Sequence, residues 1–418
     1  MKLDSEALNS TRRSWLNTVL RTGTAVAFSS RHSLPAEAGI EFPSKSEFPV
    51  NEKSVYLNNG GAHPLGRGAI HAIQTYLEVA AAGTSAPLAK TSEELRTHYA
   101  ALINAPVPTV SLIPRTIAGE NLIVTSLDLA HTPGNIVTDE LHFQGSLRLY
   151  RALQAKGVDV RIVPARNWSI ELADVEKAID RNTKLIAVSG VSQVNGFQPN
   201  LKALSDLAHS HGAYLYADMV QAVGAIPVDV RASGVDFCSC GSQKWLMGDE
   251  GLAFLYVREG LAEEIVKRAQ FGVRQITGLQ NRLLPNDTTL DEQAVSKPLQ
   301  GPAFYLDVGV LSRTVMAALT YTLPLIRRLG VEAIQAHNSS LVARLRKEIP
   351  RLGYECATPE DSHSALVSFS YGAADRQAIA AKLKRANVQV KVDQRVIRVS
   401  PSVYNDGTDV DKLLEALS

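Results

Sequence analysis

The chain has 418 residues, 45% of them hydrophobic, which is enough for a large core and more than one domain. Its 43 basic and 42 acidic residues leave a net charge of +1, which excludes a global field for nucleic acid or an acidic membrane. No apolar run reaches transmembrane length, and Cys238, Cys240 and Cys356 are too scattered for a zinc site or a disulfide framework.

Cys238 and Cys240 are two apart, so in a strand they share a face without the geometry a disulfide prefers. The expectation is a reduced, soluble, cytoplasmic protein. The N-terminus offers an alternative. Thr11-Arg12-Arg13-Ser14-Trp15-Leu16 resembles a twin-arginine export signal, and Ala36-Glu37-Ala38 resembles a cleavage site, which would place the protein in the periplasm. The bland reading of the same residues is an N-terminal arm, residues 1–50.

In chain order, Val55 to Leu57 reads as a short strand entering a glycine-rich turn, Asn58-Asn59-Gly60-Gly61-Ala62-His63. Glycine there lets backbone approach a ligand. Helices follow over 67–82 and 92–104, the second with Ser92 as cap. Val110 to Pro114 is a strand, and 115–130 turns into a helix. Strands are then expected at 135–138, 159–163, 185–189, 214–218, 236–239 and 251–257, with helices at 145–155, 171–178 and 201–211 between them. Alternation of nearly continuous apolar strands with helices indicates a mostly parallel sheet covered on both faces, with ligands beyond the carboxyl ends of its strands. A helix at 261–271, an irregular segment at 273–302 and long helices at 305–329 and 331–348 come next. Strands at 365–370, 388–391 and 396–400 form a small α+β end. The domain division is 51–290 for a large domain and 291–418 for a linker helix and small domain.

Two strand ends carry the chemistry. Tyr214-Leu215-Tyr216-Ala217-Asp218 delivers an acid, and Asp236-Phe237-Cys238-Ser239 delivers Lys244 on the loop Cys240-Gly241-Ser242-Gln243. A buried carboxylate wants a positive partner. An acid and a lysine on one sheet edge suit pyridoxal phosphate (PLP), which needs a Schiff-base lysine and an acidic partner for its pyridinium nitrogen. A strand-end cap or ion pair is the ordinary role of such an Asp, and solvation that of such a Lys. Gln221 is placed to reach the phenolate oxygen of that cofactor. Thr116 and Ile117 open a helix after a strand, where backbone amides make a phosphate site, with Ser242 and Gln243 able to complete it. His142 follows a strand and could stack on the ring. Arg398, between apolar strand neighbours, needs a partner: a substrate carboxylate, or a structural salt bridge. Gly61, His63, Phe143 and Trp245 are candidates for the substrate side, each with an equally good structural role.

Three segments resemble the class V aminotransferase family: Tyr216-Ala217-Asp218-Met219-Val220-Gln221-Ala222-Val223-Gly224, Gly241-Ser242-Gln243-Lys244-Trp245-Leu246-Met247-Gly248, and Arg398-Val399-Ser400-Pro401-Ser402-Val403-Tyr404-Asn405. The resemblance runs from about Asn51 to Ser418. It implies fold type I, a large domain with a mostly parallel seven-stranded sheet between helices and a smaller α+β C-terminal domain. It also implies PLP as cofactor and a homodimer. By resemblance, Lys244 forms the Schiff base, Asp218 binds the pyridinium nitrogen, Gln221 the phenolate oxygen, His142 stacks on the ring and Arg398 takes the substrate α-carboxylate. Gln193 stands where the family often has an asparagine beside cofactor and substrate. Departures cluster at the phosphate. Relatives often have Ser and His three and one residues before the lysine, where this chain has Gly241 and Gln243. Their Thr-Glu pair is Thr116-Ile117 here, and their Gly-Thr pair is Gly309-Val310.

The implied activity is PLP chemistry at the α-carbon of an amino acid, as an aminotransferase or epimerase-like enzyme. Alternatives are a β-eliminating C–S lyase or a desulfurase-like enzyme. A desulfurase needs a nucleophilic cysteine shortly before the carboxylate-binding arginine, and no cysteine lies between Ser370 and Arg398. A non-catalytic binding module on the same fold is the alternative outside enzymology.

Overall fold

Strands and helices alternate through the first half of the chain, as the apolar pattern requires. The computed structural model describes residues 40–84, 88–128, 131, 133–265, 276–277, 297–298, 301–307 and 311–418. The twin-arginine-like segment, Gly309-Val310 and most of 266–300 lie outside them. Among the described residues no helix is long and apolar enough to cross a membrane.

Strand β1 is Val55–Tyr56. A seven-stranded sheet is built from β2 (Val110–Ile113), β3 (Asn135–Asp139), β4 (Asp159–Val163), β5 (Thr183–Ser189), β6 (Tyr214–Asp218), β7 (Phe237–Gly241) and β8 (Ala253–Val257). Its order is β2-β8-β7-β6-β5-β3-β4, with β3 to β7 parallel and β8 antiparallel to both neighbours. Both faces are buried. Leu215 and Ala217 of β6 join one core while Tyr216 joins the other. Alternation at period two explains why the strands read as continuous apolar runs. Cys238 and Cys240 share the first face, as their spacing predicts. The strand order reverses between β3 and β5, so the chain leaves those two strands in opposite directions and opens a crevice beyond their carboxyl ends.

Helices α1 (Arg67–Ala81), α2 (Leu88–Leu102), α3 (Thr116–Ser126), α4 (Gln144–Gln154), α5 (Leu172–Ala178) and α6 (Leu201–Ser210) match expected elements within a few residues. Ser92 is not the cap of α2 but lies inside it. The helix expected over 305–329 is two elements. A short turn, Pro302–Leu306, stops at Asp307, and α7 (Arg313–Leu329) starts afresh on the Ser312 cap. At that end Asp307 has extended backbone, and its buried carboxylate accepts the Leu112 amide at 3.0 Å and pairs with Arg96. Val331–Glu348 forms α8 at the expected bounds. Of the helix expected at 261–271, only Leu261–Glu264 is described as helix. In the segment read as irregular, Ile276–Thr277 (β9) pairs antiparallel with Lys297–Pro298 (β10).

The end of the chain is a four-stranded antiparallel sheet, β11 (Glu355–Cys356), β12 (Val367–Ser370), β14 (Lys391–Val392) and β15 (Val396–Val399) in the order β11-β12-β15-β14. It packs with α9 (Arg376–Arg385) and α10 (Gly407–Leu417), the latter opened by a capping box of Asp406 and Asp409. Residue 390 interrupts the strand expected at 388–391. Its first part, β13 (Val388–Gln389), leaves this sheet and pairs in parallel with β1. Val55 and Leu57 therefore share a core with Phe369, Ile397 and Val399. This pairing carries the glycine-rich turn after β1 to Ser400, where the Gly60 amide meets the Ser400 hydroxyl at 2.9 Å.

Candidate active site

A cavity of about 220 Å³ opens where β5, β6 and β7 end. Asp218 and Lys244 both line it, and Thr116, Ile117, Gln221 and Gln243 share its wall. Gln193, Ser189 and Phe143 close another side. Residues from four distant stretches thus meet at the carboxyl edge of the sheet.

Asp218 is the last residue of β6, in register with Ser189 of β5 and Ser239 of β7. It accepts the Val220 amide at 2.9 Å and is 6% exposed. Burial raises its pKa, against the opposing pull of the Val220 amide and of the charges of His142 and Lys244. Lys244 is 9% exposed, and burial, followed by the charge of Arg398, pulls its pKa down to about 8. The loop that carries it is closed by its own backbone, Met247 N to Lys244 O at 2.8 Å and Gly248 N to Ser242 O at 2.9 Å. Gly224 sits beneath it. Its φ is +89°, and a Cβ there would lie 2.6 Å from the Trp245 carbonyl.

Gln221 is oriented by two bonds: its amide donates to the Gly60 carbonyl at 2.9 Å, and its carbonyl accepts the Trp245 indole N–H at 2.9 Å. One amide hydrogen stays available. Trp245 is therefore structural, at 2% exposure.

At the phosphate end, α3 starts at Thr116 with Arg115 as its cap. The Ala118 and Gly119 amides bond back to Arg115, which leaves those of Thr116 and Ile117 unused within the helix. Ser242 does not join them. It is fully buried, and its hydroxyl is spent on the carbonyls of Asp249 and Leu252. Gln243 does line the cavity. A Cβ at Gly241 would fall 2.4 Å from the Gln243 side-chain oxygen and 3.0 Å from Thr116 Oγ1. The two departures from the family pattern are thus one exchange: the Gln243 side chain occupies the space that a serine at 241 would need.

Arg398 lies on β15, opposite Ser368 and Lys391, at 6% exposure. Nη1 donates to the Gln193 carbonyl at 2.7 Å and Nη2 to Asn58 Oδ1 at 3.5 Å, while Nε is buried with no partner. Burial lowers its pKa to about 10. The structural salt bridge weighed from the sequence is absent among the described residues. A buried guanidinium with an unused donor suits a carboxylate from outside the chain.

Further sequence expectations change. His142 does not line the cavity. It is 1% exposed, with Nε2 against Glu120 at 3.1 Å and Nδ1 against Ser189 at 2.9 Å. The aromatic side chain on the cavity wall is its neighbour Phe143. His63 is 5% exposed and fully engaged: Nδ1 to the Pro64 carbonyl at 2.8 Å and Nε2 to Ser402 at 2.9 Å. Burial drives its pKa down to about 4, so it is a neutral clamp between the turn after β1 and the segment after β15. Gly61 closes that turn through its amide on the Asn58 carbonyl at 2.9 Å and lies outside the cavity wall. Glu120 went unnoticed in the sequence. It stands on the buried face of α3 with Ile123 and Val124, and an acid at that spacing in an apolar stripe is the signal that could have found it.

The family model for aminotransferase class V matches residues 55–413. A probable cysteine desulfurase of Methanothermobacter thermautotrophicus is 25% identical over 345 residues, covering 80% of this chain and 82% of that protein. An uncharacterized aminotransferase, YcbU of Bacillus subtilis, is 25% identical over 374 residues, 89% of this chain and 95% of that protein. Among solved structures, the apo cysteine desulfurase of Thermococcus onnurineus superposes with a TM-score of 0.74 at 21% identity, covering 91% of this chain and 98% of that one. A mutant of C-DES with glycine covalently linked to its PLP cofactor gives 0.76 at 20% identity, 90% and 99%. The fold-type-I architecture implied by the sequence motifs is the one observed. The chain belongs to the class V aminotransferase family, whose members are pyridoxal-phosphate-dependent enzymes.

Proposed function

We propose that this chain acts at the α-carbon of a small amino acid, as an aminotransferase or epimerase-like enzyme, with Lys244 as the catalytic acid and base. The observation that carries it is Lys244 itself, buried in one cavity with Asp218 and held near pKa 8 by burial and by Arg398. PLP, when bound, supplies a carbonyl for the Schiff base and an electron-withdrawing ring that makes the α C–H bond acidic. The residues present fit it. Asp218 is a buried acid on the cavity wall, Arg398 has an orphaned Nε, and Thr116, Ile117 and Gln243 offer donors at a helix start.

Asp218 would hold the ring-nitrogen proton, and Gln221 would offer its remaining amide hydrogen to the phenolate oxygen. Thr116 Oγ1, the amides of Thr116 and Ile117, and Gln243 would hold the phosphate. Phe143 would lie against the ring, and Arg398 would bind the α-carboxylate beside Gln193. Lys244 Nζ, neutral near its lowered pKa, would take the α-proton and return it; which atom receives it separates transamination from inversion. A homodimer belongs to this proposal through the family resemblance.

A second proposal, β-elimination by a C–S lyase, needs no protein thiol. The cysteines favour it over desulfuration. Cys238 and Cys240 are fully buried, and burial pushes both thiols up. Cys356 is on β11, with Sγ toward the Thr358 carbonyl at 3.5 Å. No thiol stands between Ser370 and Arg398.

Incubation of the PLP-loaded protein with single amino acids in D2O tests these assignments. The α-proton should exchange with at least one, and keto acid, inverted amino acid, or ammonia with sulfide names the branch. No exchange with any amino acid would sink the proposal.

A further inference from the structure

Behind the cavity wall lies a polar cluster that none of the roles above uses. Glu120 on α3 is 1% exposed among apolar neighbours. Its Oε1 accepts the Tyr150 hydroxyl at 2.6 Å and its Oε2 accepts the Ser146 hydroxyl. Ser146 and Tyr150 are four apart on α4, so both point from one helix face at the same carboxylate. His142 Nε2 reaches Oε1 at 3.1 Å, and on the far side of the ring His142 Nδ1 reaches the Ser189 hydroxyl at 2.9 Å. Ser189 is the residue that emerges into the cavity, beside Asp218 in the β5–β6 register.

The hydrogens in this chain can be assigned by counting. Tyr150 and Ser146 each give their one hydrogen to Glu120, so both of its oxygens act as acceptors. His142 must then carry a hydrogen on Nε2. One choice is left, at Nδ1. A neutral ring accepts the Ser189 hydrogen and leaves only oxygen lone pairs toward the cavity. A cationic ring donates to Ser189 and frees the Ser189 hydrogen for the cavity.

We propose that Glu120 is a positioning residue: by holding His142 as an imidazolium, it makes Ser189 a hydrogen-bond donor into the cofactor cavity beside Asp218. This rests on the PLP assignment made above. Groups facing His142 are Glu120 from α3, Asp139 from β3, Asp218 from β6 and Tyr150 from α4, whose ring centroid is 6.2 Å away. Burial alone would lower the His142 pKa, but the Glu120 charge and hydrogen bond, with Asp139 and Asp218, raise it. Every charged group in that set is anionic, so the imidazolium has no competing cation at hand.

Two readouts test it. Histidine-15N NMR of the cofactor-free protein should show one buried ring protonated on both nitrogens at pH 7. That signature should vanish in Glu120→Gln, and Tyr150→Phe should lower its titration midpoint. A buried ring neutral at pH 7 in the unsubstituted protein would overturn the proposal. The second readout is PLP affinity of the cofactor-free full chain, by spectroscopic titration. Ser189→Ala and Glu120→Gln should each weaken binding about tenfold, the scale of one hydrogen bond to a charged group. The double variant should weaken it no further. Should Glu120→Gln not fold, Ser189→Ala and Tyr150→Phe form the same cycle. A merely structural role would lower the melting temperature without this non-additivity. Unchanged affinity in Ser189→Ala, or losses that multiply, would overturn the proposal alone. Unsubstituted protein that takes up no PLP would overturn the cofactor assignment and this proposal with it.

Discussion

Arg398 has two of its nitrogens bound and a third, Nε, buried and unused. If that donor awaits a substrate carboxylate, Arg398→Lys should raise KM about 10- to 100-fold, since a lysine cannot reproduce the planar fork. PLP affinity should be nearly unchanged, and steady-state kinetics beside a cofactor titration would separate the two. Lys244 is open to a pH test. With its pKa near 8, the rate at which cofactor-free protein captures PLP should rise with pH about a midpoint near 8, well below the range of an exposed lysine. A midpoint above 10 would show that the amine is solvated. Lys244, Asp218 and Arg398 were legible in the sequence because a charged group in an apolar run demands an explanation. The pair His142-Phe143 was not. Both are aromatic and follow the same strand; Phe143 meets the cavity, while His142 is bonded to Glu120, a residue of another helix.

The elements were legible where periodicity alone decides them. Most strands of the large sheet are nearly continuous apolar runs, with the edge strand β4, which carries Asp159 and Arg161, the exception, and α8 matches its pattern at both ends. The reading failed where a single polar contact overrides periodicity. Asp307 is apolar-flanked and passes for a helix residue, yet it ends the short helix and its carboxylate meets Leu112 and Arg96. Asp307→Ala should therefore strand a half-buried cation and a buried amide. The cost should be about 3–5 kcal/mol, seen as a lowered melting temperature. The phosphate end shows the same kind of dependence. Gly241 and Gln243 looked like two losses, and the structure makes them one exchange of space. Gly241→Ser should push the Gln243 side chain aside and weaken PLP binding without lowering catalytic turnover at saturating cofactor. A variant that binds PLP as tightly as the unsubstituted protein would contradict Gln243 as a phosphate ligand.

At the scale of the whole molecule, the first and last thirds of the chain are tied together beside the cavity. β1 pairs with β13, Asn59 donates to the Ser400 carbonyl at 2.8 Å, and His63 bridges to Ser402. The His63 ring also packs edge-on against Phe48 and Tyr404, with centroids 5.6 and 5.7 Å away. His63 is neutral in the fold and becomes charged in the unfolded chain below about pH 6.5, so the unfolded state binds the extra proton. Stability should then fall as pH drops from about 6.5 toward 4, by up to about 3 kcal/mol. His63→Gln should flatten that slope in acid-denaturation curves, and an unchanged slope would place the acid sensitivity elsewhere. The central claim is that Lys244 holds PLP, and absorbance tests it most directly. Protein purified with PLP should show a visible band, and Lys244→Ala with an unchanged circular dichroism spectrum should lack it. A band that survives in Lys244→Ala, or no band in the unsubstituted protein, would contradict the account.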